Sequence, residues 1–309
     1  MEPETTQTLK IGSIFFIFTH QCLFLVPEHE YERIQQTEEG YVCLERKYLP
    51  ETATRDTERV TCIVCHGEAA PEDFVFPLCR EMHFVVCEEC MEGIQERTDE
   101  RKVFCPYCKE KRSDNKTFQE EILGVILSLM PHQTLPSLEI RPGMEVKTIM
   151  RLPRGNKVSL SNFFVSDAFF SKLLSKTAVE ITNGVSLFAH ANSLDCCLGE
   201  FDARTRKQAS IRIGEHTNQE MKQIYENIKT IPKNNIQAIA KEIHAVENGI
   251  CVLLKLLDGA DGYIPDLLLE SPKEECIKEI LGTESNLSWV GRAKKLRLVG
   301  HAVGILPKL

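Results

Sequence analysis

At 309 residues the chain is long enough for about two domains. Its formal charge of −8 and pI near 5.7 remove the basic excess that a protein living on a phosphate backbone needs, so bulk nucleic-acid binding is disfavoured. Hydrophobic residues at 42% and charged residues at 27% exclude global disorder and collagen-like or mucin-like arrays, and of 13 cysteines seven fall between Cys62 and Cys108, an enrichment that asks for a local cause.

Residues 1–60 comprise an apolar segment and a charged linker. Residues 11–26, IGSIFFIFTHQCLFLV, raise the question of a signal peptide or a membrane span. The preceding MEPETTQTLK sets Glu2 and Glu4 against Lys10, where a signal peptide wants positive charge, and no small-x-small cleavage site follows. A span needs about 20 apolar residues, and this run is broken by Thr19, His20 and Gln21. The segment therefore reads as a buried strand pair or core element, with the membrane disfavoured, and the later half of residues 27–59 reads as linker. After the cysteine cluster of residues 61–112, residues 113–142 carry an amphipathic helix behind Ser113 or Asp114, with Phe118, Ile122, Val125, Ile126 and Leu129 on one face. Pro131, Pro136 and Pro142 then mark a boundary.

Residues 143–309 read as an α+β domain for binding a substrate or partner. VKTIM, KVSLSNFFV, AVEIT, VSLFAHA and ASIRI have strand character, and SDAFFSKLLSK is a helix capped by Ser166 or Asp167. HTNQEMKQIYENIKTI and NNIQAIAKEIHAVENG place apolar residues at helical spacing, the second ending at Gly249 as a left-handed cap. ICVLLKLL is a short buried element of either kind. SPKEECIKEILG is a helix with Ser271 as cap and Pro272 in the first helical position. The tail from Gly291 holds Arg292, Lys294, Lys295, Arg297 and Lys308 and no acid; a solvated strand face is the favoured reading. No internal repeat at a period of 20 to 50 residues is visible.

The chemistry is concentrated in Cys62, Cys65, Cys79, His83, Cys87, Cys90, Cys105 and Cys108. Thiolate and imidazole suit zinc, which takes four tetrahedral ligands in closed structural sites, so eight ligands divide into one all-cysteine site and one of three cysteines and a histidine. Two structural Zn2+ ions are expected. Each C-x2-C turn points two sulfurs at one ion, and three such pairs (62/65, 87/90, 105/108) make chance improbable. His66 competes as a ligand only by displacing a C-x2-C partner, and free thiolates held for metal point to a reducing, intracellular compartment, cytoplasmic or nuclear.

The order of three cysteines, one histidine and four cysteines, with spacings of 2, 13, 3, 3, 2, 14 and 2, resembles the RING finger family over residues 61–112. A PHD finger puts the histidine fifth and a LIM domain puts it third. The resemblance implies a cross-braced module in which Cys62, Cys65, Cys87 and Cys90 hold one zinc and Cys79, His83, Cys105 and Cys108 the other, folded largely by metal binding. It further implies a ubiquitin ligase that docks a ubiquitin-charged conjugating enzyme and positions the thioester for transfer to a protein substrate, with no covalent step of its own. The docking residues that match the family are Val64, Ile94 and Pro106, with Lys109 after the last ligand. Many active members have tryptophan where Ile94 stands and arginine where Lys109 stands, and lysine lacks the bidentate fork. The alternative is a zinc-stabilised interaction scaffold without ligase activity.

Closed zinc sites do not activate water, so metal-dependent hydrolysis is disfavoured. No P-loop, G-x-S-x-G, H-E-x-x-H or G-x-G-x-x-G occurs. Asp258 and Asp261 sit in a turn without the ligand alternation of a calcium loop. Cys196 and Cys197, six residues and more after His190, read as buried thiols rather than a nucleophile.

Overall fold

A computed structural model describes residues 7–19, 21–35, 43–45, 60–62, 64–69, 74–77, 86–87, 89–90, 93, 123–124, 127–128, 130–190, 196–199, 210–214, 216–233, 235–257, 266–275, 278 and 293–308. Helices accompany several sheets, an α+β architecture. The chain divides into two compact units, residues 1–8, 13–134 and 145–151 in the first and residues 9–12, 135–144 and 152–309 in the second. Among the described residues no helix is long and apolar enough to cross a membrane.

The N-terminal elements are β1 (Gln7–Ile11), β2 (Ile14–Phe18), β3 (Cys22–Pro27) and helix α1 (Glu28–Gln35). The apolar run thus folds as an antiparallel hairpin, registered from Ile14 opposite Pro27 to Phe18 opposite Leu23. All of β3 is buried, and so is β2 except Phe15, because both faces of the hairpin are covered. Ile17, Phe24 and Val26 form a core with Ile34 of α1, Leu123, Leu127, Met130 and Ile149, while Phe15 stacks on Tyr31 at 3.8 Å. Of the predicted 113–131 helix, residues 123, 124, 127 and 128 are helical and Met130 and Pro131 lie past it; Leu123 and Leu127 enter the core, whereas Phe118, Ile122, Val125, Ile126 and Leu129, the face expected to be apolar, lie outside the described residues.

Short strands follow: β4 (Cys43–Glu45), β5 (Val60–Thr61), β6 (Glu68–Ala69), β7 (Phe74–Pro77) and β8 (Val86–Cys87). β5 and β6 pair as a small hairpin, and β7 lies between β4 and β8, all antiparallel. β9 (Gln133–Thr134) pairs in parallel with the start of β11 (Met150–Pro153), and these two share a sheet with β3 and β2.

In the second unit almost every pairing is parallel. One sheet joins β10 (Ser137–Ile140), β12 (Lys157–Leu160) and β14 (Ala178–Ile181); a second joins β13 (Phe163–Ser166), β15 (Val185–Phe188) and β18 (Ile236–Ile239), with the two-residue β16 (Cys197–Leu198) antiparallel at its edge. A third joins β17 (Ser210–Ile213), β19 (Glu242–Val246), β20 (Asp266–Ser271) and β21 (Leu296–Gly300). Consecutive strands such as β12 and β13, β14 and β15, or β18 and β19 belong to different sheets, so the chain turns a corner between them and each strand lies against one from the previous turn. Helices α2 (Asp167–Lys176), α3 (Asn218–Thr230) and α4 (Gly249–Leu256) complete the turns, and a 3₁₀ helix over His301–Lys308 ends the chain.

Buried polar side chains lock these turns. Asp167 Oδ1 accepts the Ala168 and His190 backbone N–H groups at 2.8 and 2.7 Å, and Oδ2 accepts that of Arg212 at 3.0 Å, tying α2 to the ends of β15 and β17. Asn227 of α3 accepts the Val179 N–H at 2.9 Å and donates to the Leu174 and Thr177 carbonyls at 2.7 and 2.8 Å. It serves the edge of β14 and the orphan carbonyls at the end of α2 at once.

Several expectations are corrected. The stretch expected as a helix from Asn234 to Gly249 instead supplies β18 and β19 over residues 236–246, with a corner between them. Ile236, Ile239, Ile243 and Val246 are spaced like one face of a helix only because two short period-2 strands are joined by two residues. Gly249 begins α4 instead of capping a helix end: a Cβ there would lie 2.5 Å from the Gly214 carbonyl oxygen and 2.6 Å from that of Ile213, so close backbone approach demands glycine. Residues 146–149 precede the strand β11 instead of forming one. Ser271 closes β20, and its hydroxyl donates to the Lys273 carbonyl at 2.7 Å instead of accepting a helical N–H. A repeat is also present: β10, β12 and β14 align residues 137, 157 and 178, and β13 and β15 align 163 and 185. It is a repeat of backbone placement, carried by different residues in each turn.

Candidate metal centre

The β5–β6 hairpin is built around a tight turn. Cys62 N–H donates to the Gly67 carbonyl at 2.9 Å and His66 N–H to the Cys62 carbonyl at 2.9 Å, with His66 at a φ of 60° to close the loop. This bends Cys62 and Cys65 toward one point. Cys87 ends β8 and Cys90 lies in the helical turn just after it, so a second C-x2-C pair is offered from a separate segment.

The four sulfurs of Cys62, Cys65, Cys87 and Cys90 all lie within 4.8 Å of one another. Cys65 and Cys87, 22 residues apart, bring their Sγ atoms to 3.8 Å. That distance is far beyond a disulfide bond. It equals the edge of a tetrahedron with metal–sulfur bonds of about 2.3 Å, roughly 3.8 Å, the geometry of a Zn(Cys)4 site. The donor set and spacing are therefore compatible with zinc. His66 is exposed and stands outside the cluster.

The surrounding backbone favours negative sulfur. Val64 N–H and Cys87 N–H donate to Cys62 Sγ at 3.4 and 3.3 Å, and Gly67 N–H donates to Cys65 Sγ at 3.4 Å. Burial resists ionisation of Cys62, yet hydrogen bonds from the backbone of Cys65, Cys87 and Val64 outweigh it and bring the thiol down to about 6. Cys87 and Cys90 shift upward, through burial first and then through the sulfurs they share the cluster with. One thiolate is stabilised by the protein alone, and further ionisation in the same small volume calls for a cation. A dication bound by four thiolates resolves that conflict.

Cys79, His83, Cys105 and Cys108, the expected second ligand set, lie outside the described residues, as do Ile94, Pro106 and Lys109. Val64 is described: it projects from the Cys62–Cys65 turn and is 40% exposed. In the second unit Cys196 and Cys197 are buried, and Cys196 Sγ lies 3.6 Å from His190 Nδ1. The basic tail is a strand followed by the 3₁₀ helix, with Arg297 paired to Glu242 of β19.

Three further residues shape the second unit without having drawn notice in the sequence: Asn227, Asn248 and His216. Asn248 Oδ1 accepts the His216 N–H at 2.9 Å and its Nδ2 donates to the His216 carbonyl at 2.7 Å. Single polar residues in apolar surroundings carry no motif; the only signal was Asn227 adjoining the apolar stripe of Met221 and Ile224. Compared with protein-family models, with curated proteins and with solved structures, the chain matches none.

Proposed function

We propose that the chain is a RING-type ubiquitin ligase with two structural zinc ions, Cys62, Cys65, Cys87 and Cys90 on one and Cys79, His83, Cys105 and Cys108 on the other. The observation that carries this reading is the pairing. Two C-x2-C turns close on one cluster while Cys79 and His83 lie between them in sequence, which is the interleaved ligand order of a cross-braced module. The exposure of Val64 beside the cluster supports its use as an apolar contact for a conjugating enzyme, together with Ile94 and Pro106. Lys109 then reaches toward enzyme and ubiquitin, and the second unit holds the protein substrate. Catalysis is by positioning: holding the charged conjugating enzyme and substrate together converts a bimolecular encounter into an intramolecular one.

A second reading, a zinc-stabilised scaffold without ligase activity, is favoured by Ile94 and Lys109, which offer a smaller apolar contact and a single-point cation in place of a planar fork. An autoubiquitination assay of the full chain against a panel of conjugating enzymes separates the two. Ubiquitin transfer with at least one enzyme, lost on chelation of zinc, is the expected result; no transfer with any of them, at a zinc content of two, selects the scaffold.

A further inference from the structure

The parallel coil of the second unit finishes with β21, the outer strand of the sheet ordered β17, β19, β20, β21. Leu296 and Leu298 of β21 are the register partners of Leu267 and Leu269. The latter two are fully buried, yet Leu296 and Leu298 are only half-buried, so the apolar interior is incompletely covered at this end. Among the described residues four large hydrophobic side chains are exposed, and three of them are here: Val299, Val303 and Leu306. The 3₁₀ helix over His301–Lys308 contacts β20 and β21, with Ala302 and Ile305 fully buried. At three residues per turn, Val303 and Leu306 share another side of that helix, and it meets solvent. A terminal turn that served only to end the coil would present polar groups there.

The backbone of β21 is open as well. The Leu267 N–H donates to the Lys295 carbonyl at 2.8 Å, and main-chain groups alternate in direction from one residue of a strand to the next. Those of Arg297 and Val299 therefore point at β20, and those of Leu296 and Leu298 point away from it, where no strand pairs with them among the described residues. Such an edge is a template for a further strand. Charge narrows the choice of strand. From Gly291 onward the chain carries five basic residues and no acid, although its net charge is −8. Lys294 and Lys295, just before β21, are exposed, whereas Arg297 is already paired with Glu242.

We propose that the open edge of β21 binds an extended acidic peptide segment of a partner protein, which adds a strand to this sheet. Its main chain pairs with Leu296 and Leu298, its apolar side chains cover those leucines, and its carboxylates meet Lys294 and Lys295. The phosphates of RNA or of a lipid surface would accept from the lysines but cannot supply the alternating donors and acceptors that a strand edge needs. A second copy paired through its own β21 would set two basic strands side by side. The inference rests on the second unit alone and is independent of the ligase reading.

The test uses the full, zinc-loaded chain and fluorescein-labelled peptides of alternating valine and glutamate, followed by anisotropy, with amide exchange at Leu296 and Leu298 as the local reporter. The glutamate peptide should bind saturably, about tenfold more tightly than its valine–lysine counterpart, and exchange at both leucines should slow. N-methylation of the peptide's amides should abolish binding, and joint Lys294→Glu and Lys295→Glu should reverse the charge preference. Equal affinity for the two peptides, undiminished binding of the N-methylated one, or no saturation by about 1 mM overturns the proposal, and all three are read without any variant. Dimerisation of the peptide-free chain that itself protects Leu296 and Leu298 overturns it in favour of a second copy. Tighter binding of oligouridylate or of phosphatidylserine vesicles than of the glutamate peptide overturns it in favour of a phosphate surface.

Discussion

Asn227→Ala removes three hydrogen bonds whose partners are all main-chain groups: the Val179 N–H, the Leu174 carbonyl and the Thr177 carbonyl. None of the three sits where a regular ladder or helix provides a substitute, since Leu174 is in the last turn of α2, Thr177 is its C-cap and Val179 is on an outer strand of its sheet. Asn227 itself is only 4% exposed, so water does not reach these groups without opening the α2–α3 contact. At about 1 kcal/mol net per bond the loss is roughly 3 kcal/mol. That lies in the upper tail for a single substitution. With a urea dependence of about 2 kcal/mol per molar, the midpoint should fall by about 1.5 M. Urea unfolding followed by circular dichroism measures it, and amide exchange at Val179 should accelerate in step. Asn227→Asp makes a sharper companion: its carboxylate still accepts from Val179 but faces two carbonyl oxygens. Its destabilisation should exceed that of the alanine variant at pH 7 and lessen as the pH falls, because protonation restores one donor. A midpoint shift under 0.5 M for Asn227→Ala, roughly 1 kcal/mol, would refute the assignment of Asn227 as the tie between α2, β14 and α3.

Elemental analysis should find two zinc ions per chain, and chelation should expose residues 61–112 to limited proteolysis while the second unit resists, because structural zinc contributes about 10 to 16 kcal/mol to its own module. Val64→Ala should slow ubiquitin transfer about fivefold at unchanged zinc content, the equivalent of about 1 kcal/mol at a small interface, whereas Lys109→Arg should accelerate it in the same transfer assay by adding a second parallel hydrogen bond. Glu220 is opposed by burial, but the Thr217 backbone and the Lys176 and Lys172 charges bring its folded value below the ordinary one. Its stabilisation is therefore present above about pH 4 to 5 and lost as pH falls through the folded value. Glu220→Gln keeps an acceptor for the Thr217 N–H but loses the charge on that bond and a partly screened ion pair with Lys176, so it should lower stability by roughly 1 kcal/mol at pH 7, a difference that should shrink as the pH falls through the folded value of Glu220. Gly249→Ala should cost about 1 to 3 kcal/mol by thermal melting, since the added methyl meets the carbonyls of Ile213 and Gly214.

The cluster at Cys62, Cys65, Cys87 and Cys90 was legible because sulfur chemistry tolerates few substitutes: ligand type and a two-residue gap state the geometry almost completely. The N-terminal hairpin was legible from interruption, as Thr19, His20 and Gln21 cut an apolar run into two strand lengths. Helix α2 announced itself through Ser166, whose side chain accepts the Phe169 N–H, and α3 through the helical spacing of its apolar residues, its Thr217 cap emerging only in the structure. The coil of parallel strands was not legible. Strands of four residues hold only two inward side chains each, as in the exposed-buried alternation of β10 and β17, too few to separate period 2 from a helical stripe. Asn227 and Asn248 were hidden for a related reason, since each acts on main-chain groups, those of Val179, Leu174 and Thr177 or of His216, that meet it only once distant turns have come together.

The turns of the second unit differ greatly in length. Residues 163 and 185 are register partners, and so are 185 and 236, although the later interval is more than twice as long and carries β17 and α3. Stacking is thus indifferent to what the chain does between one strand and the next, as long as four residues return at the right height. Closing a longer excursion costs little, about 0.6 kcal/mol per doubling of its length. A domain wound this way can acquire new surface by lengthening one excursion without disturbing its strands, much as a bead can be added to a thread without reweaving the cloth. The segments between strands are accordingly where a foreign peptide could be grafted, and where relatives of this chain would be free to differ while keeping the same interior.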